Sequence, residues 1–199
     1  MNIFELNNAL QNWNPEIEEV FAEDIADYIG TGKEGLYFIK HSNNRLYVYR
    51  GNTEIDTEYC DLNNMTIYDL HYGGGPLIGS DRDLSFGFIL PEQFDSFLFG
   101  FKILDILANL LKSKGLDAKV HGNDILVNGR KVCGTFSKKV GNRYVWCAQI
   151  SFRSYAKHIN KLCPKSLKST KIPSYIPSDI ITKDELKESI INAFTKKRA

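Results

Sequence analysis

The chain has 199 residues, of which 43% are hydrophobic and 25% are charged, and this composition predicts one globular domain that spans residues 1–199. Its formal net charge of +1 argues against a strongly basic surface for nucleic acid, and no apolar run reaches the roughly 20 residues that a membrane-spanning helix needs. The four cysteines are scattered and form no C-x-x-C pair, which is typical of reduced thiols in the cytoplasm. We therefore expect a cytoplasmic protein without a nucleic-acid or membrane partner.

The first 50 residues predict two helices and then two strands. Residues 3–10 carry apolar residues that suit a short helix, and residues 16–29 are acidic with apolar residues near helical spacing. Strands are expected at residues 36–40 and 45–50, and the polar turn between them predicts a hairpin.

A polar stretch and two more strands are predicted next. Residues 50–64 are polar and are expected to form a surface loop. Strand character returns at residues 65–70 and again at residues 84–90, where the run is apolar.

The clearest helix begins at Pro91 and Glu92 and ends before Gly115. Its apolar residues form one wide stripe, so we expect it to pack across a sheet with its aromatic residues in the core. Residues 154–162 suit a short helix, and a capping box at residues 182–185 predicts the start of a terminal amphipathic helix.

A three-strand meander is predicted over residues 121–152. Asn128 and Gly129 between two strand-like runs are the strongest short signal for a hairpin with a type I′ turn, because both tolerate the positive φ that this turn needs. The turn delivers Lys131 to the start of the return strand, and a second turn at residues 139–142 begins the third strand. A single lysine is therefore expected to be held on rigid sheet.

Three successive glycines, Gly73, Gly74 and Gly75, follow the strand predicted at residues 65–70. Glycines let the backbone approach a ligand closely, and consecutive N–H groups can form a nest for an anion. The same triplet also suits a flexible turn without a ligand.

The meander contains the pattern N-D-(apolar)3-N-G-x-K-(apolar)-x-G, from Asn123 to Gly134. This pattern resembles the signature strand pair of the lipoate- and biotin-protein ligases, with Lys131 at the position of their catalytic lysine. The resemblance extends from about residue 36 onward and is closest to the lipoate-protein ligase family. It implies an α+β fold, with a mixed, mostly antiparallel β-sheet flanked by helices, in a monomer without a separate accessory domain.

The same resemblance implies roles for further residues. Gly73, Gly74 and Gly75 stand where the family has its S-G-G-G loop, and their N–H groups would bind an acyl or phosphate oxygen. Asn123 and Asp124 stand where the family contacts adenine and the Mg²⁺–phosphate region, which makes Asp124 the candidate Mg²⁺ ligand.

Two further residues, Asp83 and Arg50, stand at positions of family motifs that this chain keeps only in part. Asp83 stands where the family has asparagine after its glycine loop, and Gly79 and Ser80 stand in place of the family's His-Asp pair. Arg50 matches an arginine of the family's G-R-x-Q-N segment, which implies a phosphate contact, although a surface arginine explains the residue equally well. The family also has arginine just before the glycines, where this chain has other residues.

The resemblance implies an enzyme that uses ATP and Mg²⁺ to activate lipoate, or octanoate, as the acyl-adenylate. The acyl group would then pass to a lysine of a lipoyl-carrier domain or of an acceptor that resembles H-protein. The fixed ammonium of Lys131 would stabilise the negative charge that develops on the carboxylate and the α-phosphate.

Three alternatives remain open from the sequence. The first is an ATP-independent octanoyl or lipoyl transferase that forms a thioester at Cys163 or Cys133, since a thiolate near a lysine is nucleophilic. The second is a biotin-protein ligase. The third is a catalytically impaired relative that only binds a carrier domain or an acyl ligand.

Overall fold

The computed structural model describes residues 3–41, 45–51, 53–69, 76–162 and 174–195. Within these ranges the helices are α1 (Ile3–Asn12), α2 (Ile25–Thr31), α3 (Thr57–Leu62), α4 (Ser96–Ser113), α5 (Ala156–Leu162) and α6 (Lys183–Thr195). The strands are β1 (Glu16–Phe21), β2 (Gly35–Lys40), β3 (Tyr47–Arg50), β4 (Thr66–Asp69), β5 (Leu77–Gly79), β6 (Leu84–Leu90), β7 (Ala118–His121), β8 (Asp124–Val127), β9 (Arg130–Val140) and β10 (Arg143–Ile150). No helix in the described part is both long enough and apolar enough to cross a membrane.

The strands form two sheets. The large sheet has seven strands in the order β1-β2-β6-β10-β9-β8-β7, and the small sheet has the order β4-β3-β5. Only β1–β2 and β3–β4 pair in parallel among the described strands; the other pairs are antiparallel. The fold is therefore α+β with a mixed, mostly antiparallel sheet, which confirms the predicted class.

One face of the large sheet is covered by α4. The side chain of Asp95 accepts hydrogen bonds from the N–H groups of Phe97 and Leu98, both at 2.9 Å, and so caps the start of the helix. Buried residues of α4 and of the sheet strands share one hydrophobic cluster, to which α6 adds Leu186 and Ile190. The stripe predicted for α4 is confirmed for Leu104, Ala108 and Leu111, which are buried. The expectation that all aromatic residues of the helix lie in the core is wrong, because Phe97 and Phe101 are 66% and 36% exposed and pack against each other. The helix also begins at Ser96, after the Asp95 cap, and not at Pro91.

The capping box of α6 is confirmed. The backbone N–H of Thr182 donates to Glu185 Oε2 at 2.8 Å, and the backbone N–H of Glu185 donates to Thr182 Oγ1 at 3.2 Å. Each side chain satisfies a backbone donor of the first turn that has no partner within the helix.

The opposite face of the large sheet is shared by α2 and the small sheet. Tyr47 of β3 reaches across, and its hydroxyl lies 3.2 Å from Ser85 Oγ of β6 and 3.2 Å from Gln149 Oε1 of β10. The side-chain amide of Gln149 in turn donates to the carbonyl of Ile78 in β5 at 2.7 Å. These bonds hold the two sheets face to face and leave room between them for a pocket.

The helix predicted over residues 16–29 is wrong in its first part. Glu16–Phe21 is strand β1, a short 3₁₀ turn follows, and the helix covers only Ile25–Thr31. The apolar spacing is compatible with a helix, but pairing with β2 overrides it, and Lys33 joins β1 through an ion pair with Glu16 at 2.7 Å.

Two predictions for residues 36–64 are also wrong. β2 and β3 belong to different sheets and form no hairpin, and residues 42–44 of the expected turn lie outside the described residues. Part of the expected surface loop is α3, capped by the Asp56 carboxylate, which accepts from the Tyr59 N–H at 2.8 Å. Cys60 of this helix is fully buried in a cluster under the small sheet, so contacts with distant residues stabilise the helix.

Candidate functional site

The turn between β8 and β9 has the predicted geometry. Asn128 has a φ of 51° and Gly129 a φ of 73°, so both central residues adopt the positive φ of a type I′ turn. β9 pairs back onto β8, and Lys131 is the second residue of the return strand.

A β-bulge determines which way Lys131 faces. Leu126 pairs with Lys131 and Ile125 pairs with Cys133, so Val132 is the extra residue on β9. Without the bulge, positions 131 and 134 would lie on opposite faces of the strand, because alternate residues alternate in direction. With it, Lys131 and Gly134 both face the small sheet.

The Lys131 side chain passes directly over Gly134. A Cβ atom at position 134 would lie 2.9 Å from Lys131 Cε and 3.0 Å from Nζ, closer than ordinary contact distances. The same point lies 3.7 Å from a methyl group of Leu77 in β5. Glycine is therefore needed here because the lysine occupies the space that a side chain would fill.

The ammonium of Lys131 is paired with Asp124. Nζ lies 2.9 Å from Asp124 Oδ1, and the two side chains are 31% and 21% exposed. Asn123 precedes Asp124 in the β7–β8 turn, and its carbonyl accepts a hydrogen bond from Thr135 Oγ1 at 2.8 Å. Lys131 and Asp124 are thus in contact, with Asn123 next to Asp124 in the chain, and the lysine is held at the protein surface between water and the interior.

A narrow pocket, with a cavity volume of about 20 Å³, opens between the two sheets next to Gly134. Its apolar wall comprises Ile25 and Ile29 of α2, Ile39 of β2, Leu77 of β5, Phe136 of β9 and Cys147 of β10. An apolar wall suits an aliphatic chain, and side chains of the wall would have to move apart to admit one, because the cavity has room for about one water molecule. A ligand in the pocket would have one end beneath the Lys131 ammonium.

The pocket wall also contains Ser85, Gln149 and Tyr49. Ser85 and Gln149 hydrogen-bond to each other at 3.4 Å, and Gln149 makes two further bonds to the small sheet. The Cys147 thiol lies 2.8 Å from the buried hydroxyl of Tyr37. Most polar atoms of the wall are therefore committed to protein partners.

Asp83 is placed in the interior. It is only 1% exposed, and its carboxylate accepts hydrogen bonds from the N–H groups of Ser80 and Phe152, both at 2.8 Å, and from the Tyr155 hydroxyl at 2.5 Å. Burial raises the pKa of the Asp83 carboxyl, while these hydrogen bonds lower it. With its oxygens occupied by three protein donors, Asp83 joins the β5–β6 turn to the end of β10, and it does not line the pocket.

Arg50 is placed away from Lys131. Its guanidinium binds Asp69 of the neighbouring strand with two hydrogen bonds of 2.5 and 2.6 Å. Tyr49 lines the pocket, and adjacent strand residues face opposite sides, so Arg50 faces the other side of the small sheet. The geometry provides no contact between Arg50 and the pocket.

Other predicted site residues fall outside the described part of the chain or inside the core. Gly73, Gly74 and Gly75 and Cys163 lie outside the described residues. Cys133 is fully buried on the α4 side of the sheet, and burial raises the pKa of its thiol to about 12. A thiol in this environment stays protonated, so Cys133 does not supply the nucleophile considered for it.

No group of three histidine, cysteine or acidic side chains that could hold a metal ion occurs in the described ranges. Asp124 offers a single carboxylate beside Lys131. One protein carboxylate fits Mg²⁺, which retains water and binds substrate phosphates, better than it fits a metal that needs a protein cage.

Sequence reasoning missed the pocket residues Tyr49, Leu77 and Gln149. They come from three strands that are far apart in the chain, and each has an ordinary strand-like neighbourhood. The only local signal is the alternation of buried residues, which does not reveal which strands will face each other.

Comparison with known proteins gives a consistent result. Residues 12–195 match the lipoyl protein ligase A/B catalytic domain. The chain is 28% identical over 153 residues to lipoate-protein ligase LplJ of Bacillus subtilis (strain 168), an alignment that covers 75% of this chain and 46% of that protein. The chain thus spans less than half the length of this relative.

Solved structures share the fold. A bi-partite lipoate protein ligase from Thermoplasma acidophilum, studied with its E2 lipoyl domain, superposes with a TM-score of 0.72 at 18% identity, covering 94% of this chain and 84% of that one. A lipoate-protein ligase A bound with ATP superposes with a TM-score of 0.69 at 19% identity, covering 93% and 85%. Because the sequence identities are only 18% and 19%, the structural similarity establishes the fold alone. Together with the match over residues 12–195, it shows that the chain belongs to the lipoyl protein ligase A/B catalytic domain family.

Proposed function

We propose that the chain catalyses the ATP-dependent activation of lipoate or octanoate and the transfer of the acyl group to a lysine of a carrier protein. The observation that carries the proposal is the position of the Lys131 side chain directly over Gly134, a residue of the apolar pocket wall. An aliphatic acid in this pocket would place its carboxylate at the ammonium and its chain between the sheets.

The first step forms an acyl-adenylate. A carboxylate oxygen of the acid attacks the α-phosphorus of ATP, the bond from that phosphorus to the bridging oxygen breaks, and pyrophosphate leaves. Negative charge accumulates on the α-phosphate oxygens in the transition state. A preorganised cation at Lys131, which is 31% exposed and held by its contacts, would stabilise this charge at no cost of reorganisation.

The second step forms an amide. The neutral amine of an acceptor lysine attacks the acyl carbon, AMP leaves with the former carboxylate oxygen, and the new amide nitrogen loses a proton to solvent. Lys131 would polarise the acyl carbonyl during this attack. Since the Lys131 side chain is 31% exposed and lies over Gly134 of the pocket wall, a carrier-protein lysine could reach the acyl carbon from solvent.

Mg²⁺ and the phosphates are expected on the Asp124 side of the lysine. The carboxylate of Asp124 would supply one oxygen ligand to Mg²⁺, which neutralises phosphate charge when it is bound. Asn123 sits beside it in the same turn, where the family contacts adenine.

We further propose a lipoyl-carrier domain or H-protein-like acceptor as the partner, and a monomeric enzyme in the cytoplasm. The support for the acceptor is that the Thermoplasma relative was studied with its E2 lipoyl domain. Gly73, Gly74 and Gly75 remain our proposed contacts for an acyl or phosphate oxygen.

The test has two arms. ATP–pyrophosphate exchange is measured with lipoate, octanoate and biotin, and acyl transfer to a carrier domain is measured from synthetic lipoyl-AMP. We expect lipoate to support both reactions, and Lys131→Ala to reduce both by at least a hundredfold, on the order of a lost oxyanion-type contact. The matched control is Lys119→Ala, since Lys119 lies on β7 and is 70% exposed in its pair with Asp117. Lys119→Ala should keep wild-type exchange, and exchange in Lys131→Ala at the level of this control would refute the role of Lys131.

A second candidate is an acyl-binding module without ligase activity. It is favoured by the positions of Asp83 and Arg50, because both side chains are committed to protein partners that a nucleotide would have to displace. Calorimetric binding of lipoate with no exchange and no transfer would select this candidate over the ligase.

A further inference from the structure

The hydroxyl of Tyr49 is the polar atom of the pocket wall that the proposed reaction leaves unexplained. Tyr49 lines the pocket and is 5% exposed, and its hydroxyl is buried without a hydrogen-bond partner in the described part of the chain. By contrast, Ser85, Gln149 and Cys147 of the same wall all have protein partners. Buried hydroxyl groups are nearly always hydrogen-bonded in native proteins, so an acceptor from a ligand is the natural partner.

Tyr49 lies where the end of an acyl chain would be if the carboxylate of the acid were at Lys131. Gly134, Gln149, Ser85 and Ile39 lie side by side across four neighbouring strands, from β9 to β2. The distance from Gly134 to Ser85 is two strand spacings, or about 10 Å. This span is similar to the length of an extended octanoyl chain whose carboxylate lies at Lys131.

The strands of the small sheet lie over this row of four residues and likewise lead away from Lys131. Leu77 of β5 lies over Gly134, and Tyr49 is the partner of Leu77 on the next strand, β3. β3 is held over β6 by the contact between the Tyr47 hydroxyl and Ser85 at 3.2 Å. Tyr49 therefore lies one strand further from Lys131 than Leu77 does.

The ring of Tyr49 has a fixed orientation. It packs against Tyr47 at a centroid distance of 5.0 Å, against Tyr68 at 5.4 Å and against His41 at 6.1 Å. Burial raises the pKa of Tyr49 well above its ordinary value, so the hydroxyl keeps its proton and remains a donor.

We propose that the Tyr49 hydroxyl donates a hydrogen bond to an acceptor atom near the far end of the bound acyl chain. The pocket then selects acids that carry such an atom, such as a carbonyl oxygen or a dithiolane sulfur, over plain fatty acids of the same length. This inference rests on the proposed function, because it needs an acid bound with its carboxylate at Lys131.

The test is calorimetric binding of three acids to the full chain: octanoate, lipoate, and a keto analogue of octanoate with its carbonyl near the chain end. We expect the wild type to bind the keto acid about three- to tenfold more tightly than octanoate, which is the effect of one net hydrogen bond. It should also bind lipoate more tightly than octanoate, but by a smaller factor, because sulfur is a weak acceptor. In Tyr49→Phe the keto acid should lose its advantage over octanoate, because its carbonyl is left without a donor. Tyr68→Phe is the matched control, since Tyr68 belongs to the same aromatic group but does not line the pocket, and it should keep the wild-type ratios.

Thermal unfolding distinguishes this role from a structural one. Since the hydroxyl is buried without a described partner, Tyr49→Phe should melt at the wild-type temperature or above it. A lower melting temperature, or equal affinities of the wild type for the three acids, or ratios unchanged in Tyr49→Phe, would overturn the inference while leaving the ligase proposal intact. Failure of the wild type to bind any of the acids would overturn both.

Discussion

The Lys131 side chain lies so close over Gly134 that a methyl group at position 134 would be 2.9 Å from its Cε atom and 3.0 Å from its Nζ atom. The atoms that would move are the end of a flexible side chain. A larger residue at position 134 would therefore displace the ammonium from its place beside the pocket wall with little effect on the sheet.

The first prediction is that Gly134→Ala reduces lipoate-dependent ATP–pyrophosphate exchange by about a hundredfold, as a displacement of roughly 1 Å in a catalytic group can do. The melting temperature should change little, because the backbone of β9 keeps its pairing. Exchange and thermal unfolding are measured on the same preparations.

Gly30→Ala is the control for this substitution. No heavy atom lies within 4 Å of a Cβ at Gly30, and the residue is in the helix α2. Alanine should be tolerated there or should stabilise the helix by up to ~1 kcal/mol, with wild-type exchange. Equal activity of the Gly134 and Gly30 variants would show that the close contact has no catalytic importance.

The second prediction concerns the partner of the lysine. Asp124 Oδ1 lies 2.9 Å from Lys131 Nζ, where it competes with the carboxylate of an incoming acid. Asp124→Asn should therefore tighten lipoate binding in the absence of nucleotide by about fivefold, or ~1 kcal/mol, which is the upper end for an ion pair in contact with solvent. The same variant should need more Mg²⁺ to reach half-maximal exchange.

Asp117→Asn is the matched control, because it removes an exposed carboxylate that pairs with Lys119 at 3.2 Å on the neighbouring strand. It should leave both lipoate affinity and the Mg²⁺ dependence unchanged. If Asp124→Asn weakens lipoate binding, then Asp124 holds the lysine in place and does not compete with the acid.

Local signals made part of this fold predictable. The Asn128-Gly129 turn and the capping box at Thr182 each depend on a few neighbouring residues, and each is confirmed. The apolar stripe of α4 is confirmed only in part, because its residues Phe97 and Phe101 are exposed. The pattern around Lys131 likewise singled out Asp124, which pairs with the lysine at 2.9 Å.

The remaining features depend on contacts between distant segments. β1 is a strand only because β2 is beside it, and no local pattern places β2 and β3 in separate sheets. The bulge at Val132 and the approach of Leu77 to Gly134 are also invisible to periodicity, although they direct the lysine and form the pocket. Sequence reasoning thus found the charged residues of the candidate site but not its apolar wall.

The third prediction is a loss of stability in mild acid. Burial lowers the pKa of His41 from 6.5 to about 4, and the ring stacks on Tyr47 at 3.6 Å. Below pH 6.5 the unfolded chain binds a proton at His41 that the folded chain does not bind until about pH 4. Stability from this group is therefore complete above pH 6.5 and is lost as the pH falls through this window, with a loss of ~2 kcal/mol by pH 5.0.

Urea unfolding at pH 7.5 and pH 5.0 measures this difference. His41→Phe keeps a ring against Tyr47 and should reduce the difference, while His121→Gln, an exposed position of β7, should not. Burial also lowers the pKa of His158, so part of the effect should persist in His41→Phe. A pH difference identical in wild type and His41→Phe would contradict the prediction.

The fourth prediction separates the ligase from a thioester mechanism. The Cys133 thiol is fully buried on the α4 side of the sheet, and burial raises its pKa to about 12. Cys133→Ala should therefore preserve ATP-dependent transfer. It should cost ~1–2 kcal/mol of stability, because packing around the side chain is lost. Cys163→Ala should likewise keep both the transfer rate and the requirement for ATP, measured as lipoylation of a carrier domain with and without nucleotide. The opposite result would be transfer that occurs without ATP and disappears in Cys163→Ala, with the melting temperature unchanged. That result would assign the acyl group to a cysteine thioester, because the Lys131 ammonium could assist attack on a thioester as readily as attack on an adenylate.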